Sequence, residues 1–166
     1  MIFSSDTNVW LDLEQLGATQ LPFNSTHVFW MYQSAIEDEI LAPPDLGHRL
    51  VEFGLKGMEI TLDDFYLAAS FQTKYRALSK YDAVALAIAK RRTWFLLTGD
   101  GPLRKAAATE GVSVKGTLGL LDLLFDEGVL SCSEYAELLE KSQLLARIRW
   151  PKEEVKKRLA QLYQEV

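Results

Sequence analysis

Cysteine is almost absent from this sequence, and long apolar runs are missing. The single cysteine, Cys132, excludes an internal disulfide framework and is typical of a reducing compartment. No apolar run approaches the length of about 20 residues that a transmembrane helix needs. The first ten residues, MIFSSDTNVW, do not combine a basic stretch with a following apolar one, so no signal peptide is expected. These absences predict a cytoplasmic protein without a membrane segment.

An excess of positive charge is also lacking. The chain has 18 Lys and Arg residues against 23 Asp and Glu residues, which gives a net charge of −5. This balance argues against a broadly basic, nucleic-acid-coating surface, although a small basic patch remains compatible with it. Internal repeats, low-complexity stretches and linkers are missing as well. With 166 residues, 48% of them hydrophobic, the chain is predicted to form one globular domain.

Short apolar or β-branched segments alternate with helical patterns along the chain. We predict strands at or near residues 1–3, 27–34, 58–62, 94–99 and 112–116. Apolar residues at helical spacing predict helices between these segments and after the last of them. Such alternation is typical of an α/β fold, in which a parallel sheet carries helices on both faces. We expect a core over residues 1–130, with C-terminal helices over residues 131–166 packed on the same domain.

Four acidic residues lie where predicted strands end or predicted helices begin. They are Asp6 after the first strand, Glu39 on the helix after the second, Asp82 in a first helical turn, and Asp100 after WFLLTG. Each has a structural interpretation. Asp6 and Asp100 suit helix N-caps, Asp82 completes a capping box with Ser79, and Glu39 suits a solvated helix surface. For any one of these acids alone, the structural role is favoured.

Taken together, the four acids suggest a shared role beyond helix capping. Strand ends and helix starts of one parallel sheet share one edge, and ligands gather at that edge. Several carboxylates there would repel one another unless a cation neutralised them. Hard oxygen ligands without a nearby His or Cys suit Mg²⁺ or Mn²⁺. The pattern therefore favours a metal site that could hydrolyse a phosphodiester.

The segments around these acids resemble the PIN domain family of nucleases. The matching segments are SSDTNVWLDL, SAIEDEI, SKYDAVALAIAKRR and FLLTGDGPLRKAA, and the resemblance continues through GVSVKGTLGLLDLLFDEG, so that it covers residues 1–128. It implies a PIN-like three-layer α/β fold with a central parallel sheet. It also implies an acidic quartet that binds one or two Mg²⁺ or Mn²⁺ ions and cleaves RNA. Carried over to this sequence, the quartet is Asp6, Glu39, Asp82 and Asp100, with Glu37 open as an alternative to Glu39.

Three further residues are candidates to support the site, Thr98 from the same resemblance and Asn8 and Arg104 from their positions near the acids. Thr98 matches a polar residue near the last acid, and its hydroxyl is expected to orient a bound water. Asn8, two residues after the first acid, could do the same. Arg104 follows Asp100 by about one helical turn and is a candidate to contact a substrate phosphate.

We therefore predict a divalent-metal-dependent endoribonuclease. Small PIN proteins are often toxins of toxin–antitoxin pairs, so the resemblance also implies an antitoxin protein as partner and a homodimer. The alternative is a catalytically silent PIN-fold module that binds RNA or a protein partner. The presence of all four acids favours the enzyme.

The segment between Arg147 and Arg158 is rich in basic residues. It contains six of them, against only Glu153 and Glu154. Its simplest interpretation is a solvated helix surface. An RNA contact or a docking surface for a partner would use the same charges, and the sequence does not favour one of these interpretations.

Overall fold

Five parallel strands form the central sheet of residues 1–164, the part of the chain that the computed structural model describes. Residues 165 and 166 of the predicted C-terminal extension lie outside it. The strands are β1 (Ile2–Ser5), β2 (Val28–Tyr32), β3 (Lys56–Met58), β4 (Phe95–Leu97) and β5 (Val114–Lys115). Their order in the sheet is β3-β2-β1-β4-β5. Strand β1 is therefore central, and the predicted parallel α/β class is confirmed.

Helices connect the strands and continue after the last one. They are α1 (Thr7–Leu16), α2 (Gln33–Glu39), α3 (Leu46–Phe53), α4 (Leu62–Lys74), α5 (Lys80–Arg92), α6 (Gly101–Thr109), α7 (Thr117–Asp126), α8 (Cys132–Leu144) and α9 (Lys152–Gln164). A short 3₁₀ turn, Leu21–Asn24, precedes β2. Within residues 1–164, no helix combines the length and apolar character needed to cross a membrane.

The two faces of the sheet carry separate hydrophobic cores. On one face, Phe3 stacks on Phe29 with ring centroids 5.2 Å apart, and this core extends to helices α1, α3, α7 and α8. On the other face, helix α5 lies so close that the hydroxyl of Ser4 donates a hydrogen bond to the carbonyl oxygen of Ala85 (2.8 Å). Residues 83–89 of this alanine-rich helix are all buried. The predicted three-layer arrangement is confirmed.

The C-terminal helices share the first of these cores. Tyr135 and Leu139 of α8 and Leu162 of α9 are buried in the same cluster as Trp10 and Leu13 of α1. Burial of these side chains joins α8 and α9 to the layer formed by α1 and α7. The boundary predicted at residue 130 stays a prediction.

One predicted strand is shifted. The edge strand was expected over residues 58–62, whereas β3 covers Lys56–Met58. The reason lies at Thr61, whose side chain accepts a hydrogen bond from the backbone of Asp64 in a capping box that starts α4. A residue in this role turns the chain into the helix, so residues 59–61 no longer pair with the sheet.

Candidate active site

Asp6 lies directly after the central strand and caps helix α1. Its Oδ1 accepts a hydrogen bond from the backbone N–H of Thr7 (2.7 Å), and its Oδ2 accepts one from the hydroxyl of Thr98 (2.8 Å). The residue is 8% exposed. Both carboxylate oxygens are thus held at the carboxyl end of the sheet, one by the first residue of α1 and one by the residue that follows β4.

Asp100 lies three residues after the adjacent strand, β4, and caps helix α6. Its Oδ2 accepts a hydrogen bond from the backbone N–H of Leu103 (2.9 Å). Thr98 is fully buried, and its hydroxyl oxygen also accepts a hydrogen bond from the backbone N–H of Asp100 (3.1 Å). One hydroxyl therefore fixes the geometry of two acids. Its proton is donated to Asp6, and its role in orienting a bound water stays a prediction.

Asp82 reaches the same edge from helix α5. It forms the predicted capping box with Ser79: its Oδ2 accepts from the backbone N–H of Ser79 (2.7 Å), and its own N–H donates to the Ser79 hydroxyl (3.1 Å). Helix α5 runs back under the sheet, so its first turn lies at the ends of the strands. The cap thereby fixes one carboxylate oxygen, while Oδ1 accepts no hydrogen bond from another described residue.

Glu39, at the end of helix α2, completes the set. Its Oε2 accepts a hydrogen bond from the hydroxyl of Thr7 (2.5 Å). Glu37 lies on the exposed side of the same helix, where its Oε1 accepts from the side chain of Gln33 (2.7 Å). Of the two glutamates left open by the sequence, the structure places Glu39 beside the other acids.

The four acids line one open cavity. Its volume is about 310 Å³, and it is lined by Asp6, Thr7, Asn8, Leu11, Glu39, Asp82 and Asp100. Helices α1, α5 and α6 all begin at this cavity. Their unpaired N–H groups and dipoles favour negative charge at this point and partly offset the repulsion between the carboxylates.

The electrostatics of this acid pocket are unfavourable without a cation. Burial, with a smaller contribution from the nearby charges of Asp82 and Glu39, raises the pKa of Asp6 to about 7. The hydrogen bonds from Thr98 and Thr7 oppose this effect without cancelling it. A carboxylate held at this pKa near neutral pH is a strong candidate for a functional group.

The donor chemistry of the pocket fits a hard divalent cation. All its charged groups are carboxylates, and Mg²⁺ and Mn²⁺ prefer such oxygen ligands. Within residues 1–164, no three Asp, Glu, His or Cys side chains are already grouped as a metal ligand set. Three of the four acids engage only one oxygen in capping or hydrogen bonding with described residues. They therefore retain an oxygen that could turn toward an ion.

Comparison with known proteins identifies the family. A family model described as a PIN domain matches residues 3–165. The chain belongs to the PIN domain family. No curated protein and no solved structure matches the chain. The match covers the C-terminal helices as well as the segments in which the sequence resemblance was recognised.

Membership of this family carries a general expectation about chemistry. PIN domains are generally nucleases and typically use divalent metals. The fold of this chain is therefore of a nuclease type. In this PIN domain the acid pocket lies at the carboxyl ends of the strands, where parallel α/β sheets bind their ligands.

Asn8 and Arg104, the two other candidate residues, line different cavities. Asn8 lines the acid pocket, and its Oδ1 accepts a hydrogen bond from the backbone N–H of Gly99 (3.2 Å), so it ties helix α1 to the loop after β4. Arg104 lies outside the acid pocket. Its Nη1 donates to the carbonyl oxygen of Thr98 (3.1 Å), and its side chain lines a neighbouring cavity.

Two supporting contacts of the PIN domain were missed from the sequence. Thr7 is buried and holds Glu39 through its hydroxyl, and the hydroxyl of Tyr81 donates a hydrogen bond to Asp38. This bond joins helix α2 to the start of α5 and raises the pKa of Tyr81 to about 12. For the contact between Thr7 and Glu39, the one sequence signal was the position of Thr7 between Asp6 and Asn8.

Proposed function

We propose that this PIN domain is a divalent-metal-dependent endoribonuclease. The observation that carries the proposal is the acid pocket: four carboxylates, Asp6, Glu39, Asp82 and Asp100, line one open cavity at the end of the sheet. The raised pKa of Asp6 supports it: burial and, to a smaller extent, the charges of Asp82 and Glu39 make the ionised carboxylate unfavourable, and a bound cation would offset both effects.

The residues of the pocket would share the work as follows. The four carboxylates would hold the ion, and Thr98 and Thr7 would keep Asp6 and Glu39 oriented through their hydroxyl groups. When bound, a Mg²⁺ or Mn²⁺ ion supplies Lewis acidity: it lowers the pKa of water and neutralises charge that develops on the phosphodiester. The openness of the cavity is consistent with a polymeric substrate that enters from the surface.

RNA is the substrate that the family resemblance favours. The role as a toxin, the antitoxin partner, the homodimer and the cytoplasmic location stay predictions from that resemblance and from the composition. A catalytically silent module that binds RNA or a protein is the alternative, and it predicts metal binding without cleavage.

Cleavage of a mixed set of end-labelled single-stranded and hairpin RNAs tests the proposal. With Mn²⁺ or Mg²⁺ the wild-type protein should cleave, and EDTA should abolish the reaction. The Asp82→Asn variant should lose about a hundredfold or more of the rate, because Asn can still cap the helix but cannot neutralise a cation.

A matched pair of glutamate variants sharpens the test. Glu39→Gln should lower the rate strongly, whereas Glu37→Gln, two residues away on the exposed side of the helix, should cleave like the wild type. Equal rates for the two variants would show that Glu39 has no part in the site. A folded, metal-binding wild-type protein that cleaves no RNA would replace the enzyme with the silent module.

A further inference from the structure

A groove leads away from the acid pocket. It consists of two adjoining cavities of about 550 and 500 Å³. Asn8 and Asp100 line both the acid pocket and the first cavity. Gly99, Arg149 and Trp150 line both the first and the second cavity. The surface is therefore continuous from the acids to the far end of the groove.

Basic side chains outnumber acidic ones along this groove: three exposed arginines, Lys115 and Arg158 line it together with Asp12, Asp100 and Glu154. Arg147 and Arg149 line the first cavity, and Arg149 and Arg104 line the second. None of the three forms an ion pair with a carboxylate of residues 1–164. We call the surface formed by these three residues and Trp150 the arginine groove.

Most other arginines of the described chain are neutralised by partners. Arg49 pairs with Glu14 and Asp45, and Arg158 pairs with Asp122 and Glu154. Arg91 and Arg92 likewise pair with aspartates of helix α4. In a protein of net charge −5, three guanidinium groups without an ion pair to residues 1–164 are a local exception, and one of them, that of Arg147, acts on the nearby carboxylate of Asp12. Planar guanidinium groups of this kind match phosphate oxygens in geometry and charge.

Trp150 presents an aromatic surface along the same path. It is half-buried, and its indole N–H donates a hydrogen bond to Oδ2 of Asp12 on helix α1 (3.4 Å). The ring is held from one edge and lines both cavities. Aromatic side chains beside a positively charged groove are the usual platforms on which single-stranded bases stack.

Arg104 is pre-positioned in the second cavity of the groove. Its guanidinium group is held by the carbonyl oxygen of Thr98 and packs against Gly116. A Cβ atom at position 116 would lie 2.9 Å from Nη1 of Arg104, so the absence of a side chain there leaves room for the arginine. The contact with Thr98 also links this arginine to the strand end that carries Asp100.

We propose that the arginine groove binds the stretch of single-stranded RNA next to the phosphodiester that lies at the acid pocket. Arg104, Arg147 and Arg149 contact its phosphates, and a base stacks on Trp150. The inference rests on the proposed function for its orientation, because the acid pocket defines which end of the groove holds the reacting bond. The segment between α8 and α9 is therefore part of the substrate-binding surface.

Binding of a labelled single-stranded RNA, measured by fluorescence anisotropy in EDTA, tests the proposal without cleavage. The Arg147→Gln/Arg149→Gln variant should bind about tenfold or more weakly, and the slope of log K against log salt should fall by about 1.4, or about 0.7 for each lost phosphate contact. The matched control is Lys56→Gln/Arg76→Gln, which removes two exposed cations that do not line the groove. It should bind like the wild type.

Tryptophan fluorescence tests the stacking contact separately. RNA should quench part of the wild-type emission, and Trp150→Phe should lose that quenching, whereas Trp94→Phe should retain it. Trp94 stacks on Trp30 at a centroid distance of 6.0 Å and does not line the groove. Trp150→Leu should weaken binding by about tenfold, as expected when one stacked base is lost.

The outcomes separate this proposal from the proposed function. If the protein cleaves RNA but the groove variants bind it as tightly as the wild type, the groove is not the RNA site and the nuclease stands. If the groove variants lose binding but no protein cleaves, the groove stands and the nuclease fails. Equal losses in the groove variant and the control, or binding of an acidic peptide in preference to RNA, would overturn the groove.

Discussion

The hydroxyl group of Thr98 connects two acids that belong to different helices. It donates to Asp6 and accepts from the backbone of Asp100, and its side chain is fully buried. Oriented carboxylates that are held by hydrogen bonds bind metal ions better than free ones, and the loss of such a partner typically costs about 10–100-fold in affinity. The orientation of the site thus depends on a residue that does not itself line the acid pocket.

A Thr98→Val variant tests this role. The two side chains have nearly the same shape, so the variant removes the hydroxyl group and little else. We expect Mn²⁺ affinity, measured by calorimetry, to fall about tenfold or more, and the free energy of unfolding to fall by about 1–3 kcal/mol.

The control is Thr109→Val on helix α6, where an exposed hydroxyl donates only to the carbonyl oxygen of Lys105. It should leave Mn²⁺ affinity unchanged. Wild-type affinity in Thr98→Val would show that the hydroxyl does not support the metal site.

Asp6 gives the site a dependence on pH. Its pKa is raised from 3.8 to about 7, so the folded protein holds the proton more tightly than the unfolded chain. The stability that this proton provides is present below about pH 4 and is lost as the pH rises toward 7. In EDTA, the neutral Asp6→Asn variant should therefore be more stable than the wild type at pH 8, by up to about 4 kcal/mol.

Urea unfolding at several pH values measures this difference. It should be small at pH 4, grow up to pH 7 and then stay constant. Addition of Mn²⁺ at pH 8 should raise the melting temperature of the wild type and leave that of Asp6→Asn nearly unchanged. If the variant is less stable than the wild type at pH 8 in EDTA, the folded protein does not disfavour the ionised form of Asp6.

At the scale of elements, helix α5 carries Asp82 and is held in place by charges at its other end. Arg91 and Arg92, in its last turn, donate to the fully buried carboxylate of Asp64 in the first turn of α4. Burial opposes the charge of Asp64, but these hydrogen bonds and those from Thr61 are stronger and lower its pKa well below the usual range.

An Asp64→Asn variant should destabilise this helix pair. We expect a loss of about 2 kcal/mol at pH 7, since the two arginines keep part of their solvation. The contribution of a carboxylate with a lowered pKa is present above the unfolded value of 3.8 and disappears as the pH falls below it.

Chemical denaturation between pH 7 and pH 2 should show the gap to the wild type closing below pH 4. The neighbouring Asp63→Asn, whose carboxylate is 76% exposed, should cost less than about 1 kcal/mol. Equal losses for the two variants would contradict the role of the buried carboxylate.

At the scale of the whole molecule, the C-terminal helices belong to the same hydrophobic core as helix α1. Leu139 of α8 is fully buried in that core, whereas Leu144, on the same helix, is 85% exposed. This pair allows the cooperativity of the chain to be tested with two chemically identical substitutions.

Leu139→Ala should lower the free energy of unfolding by about 2–5 kcal/mol, and Leu144→Ala should change it by less than about 0.5 kcal/mol. The unfolding transition should stay single and should be the same by circular dichroism and by fluorescence. If Leu139→Ala instead splits the transition in two, the helices after residue 130 unfold as a separate unit.

The predictions that succeeded from the sequence concern residues with local partners. The capping roles of Asp6, Asp82 and Asp100 depend on groups no more than three positions away, and all three are present in the structure. The placement of Glu39 rather than Glu37 required the rotation of helix α2 against its neighbours. A sequence pattern does not fix that rotation to within two residues.

Other features of the site needed the folded chain. Thr98 contacts Asp6 across 92 positions, and Trp150 contacts Asp12 across 138. The sequence alone determined the α/β class, the ends of four of the five strands to within two residues and the positions of the acids, because these depend on periodicity and short-range hydrogen bonds. Tertiary structure decided which acids share one pocket and which arginines lie beside it, because strand order and the return of the C-terminal segment bring distant residues together.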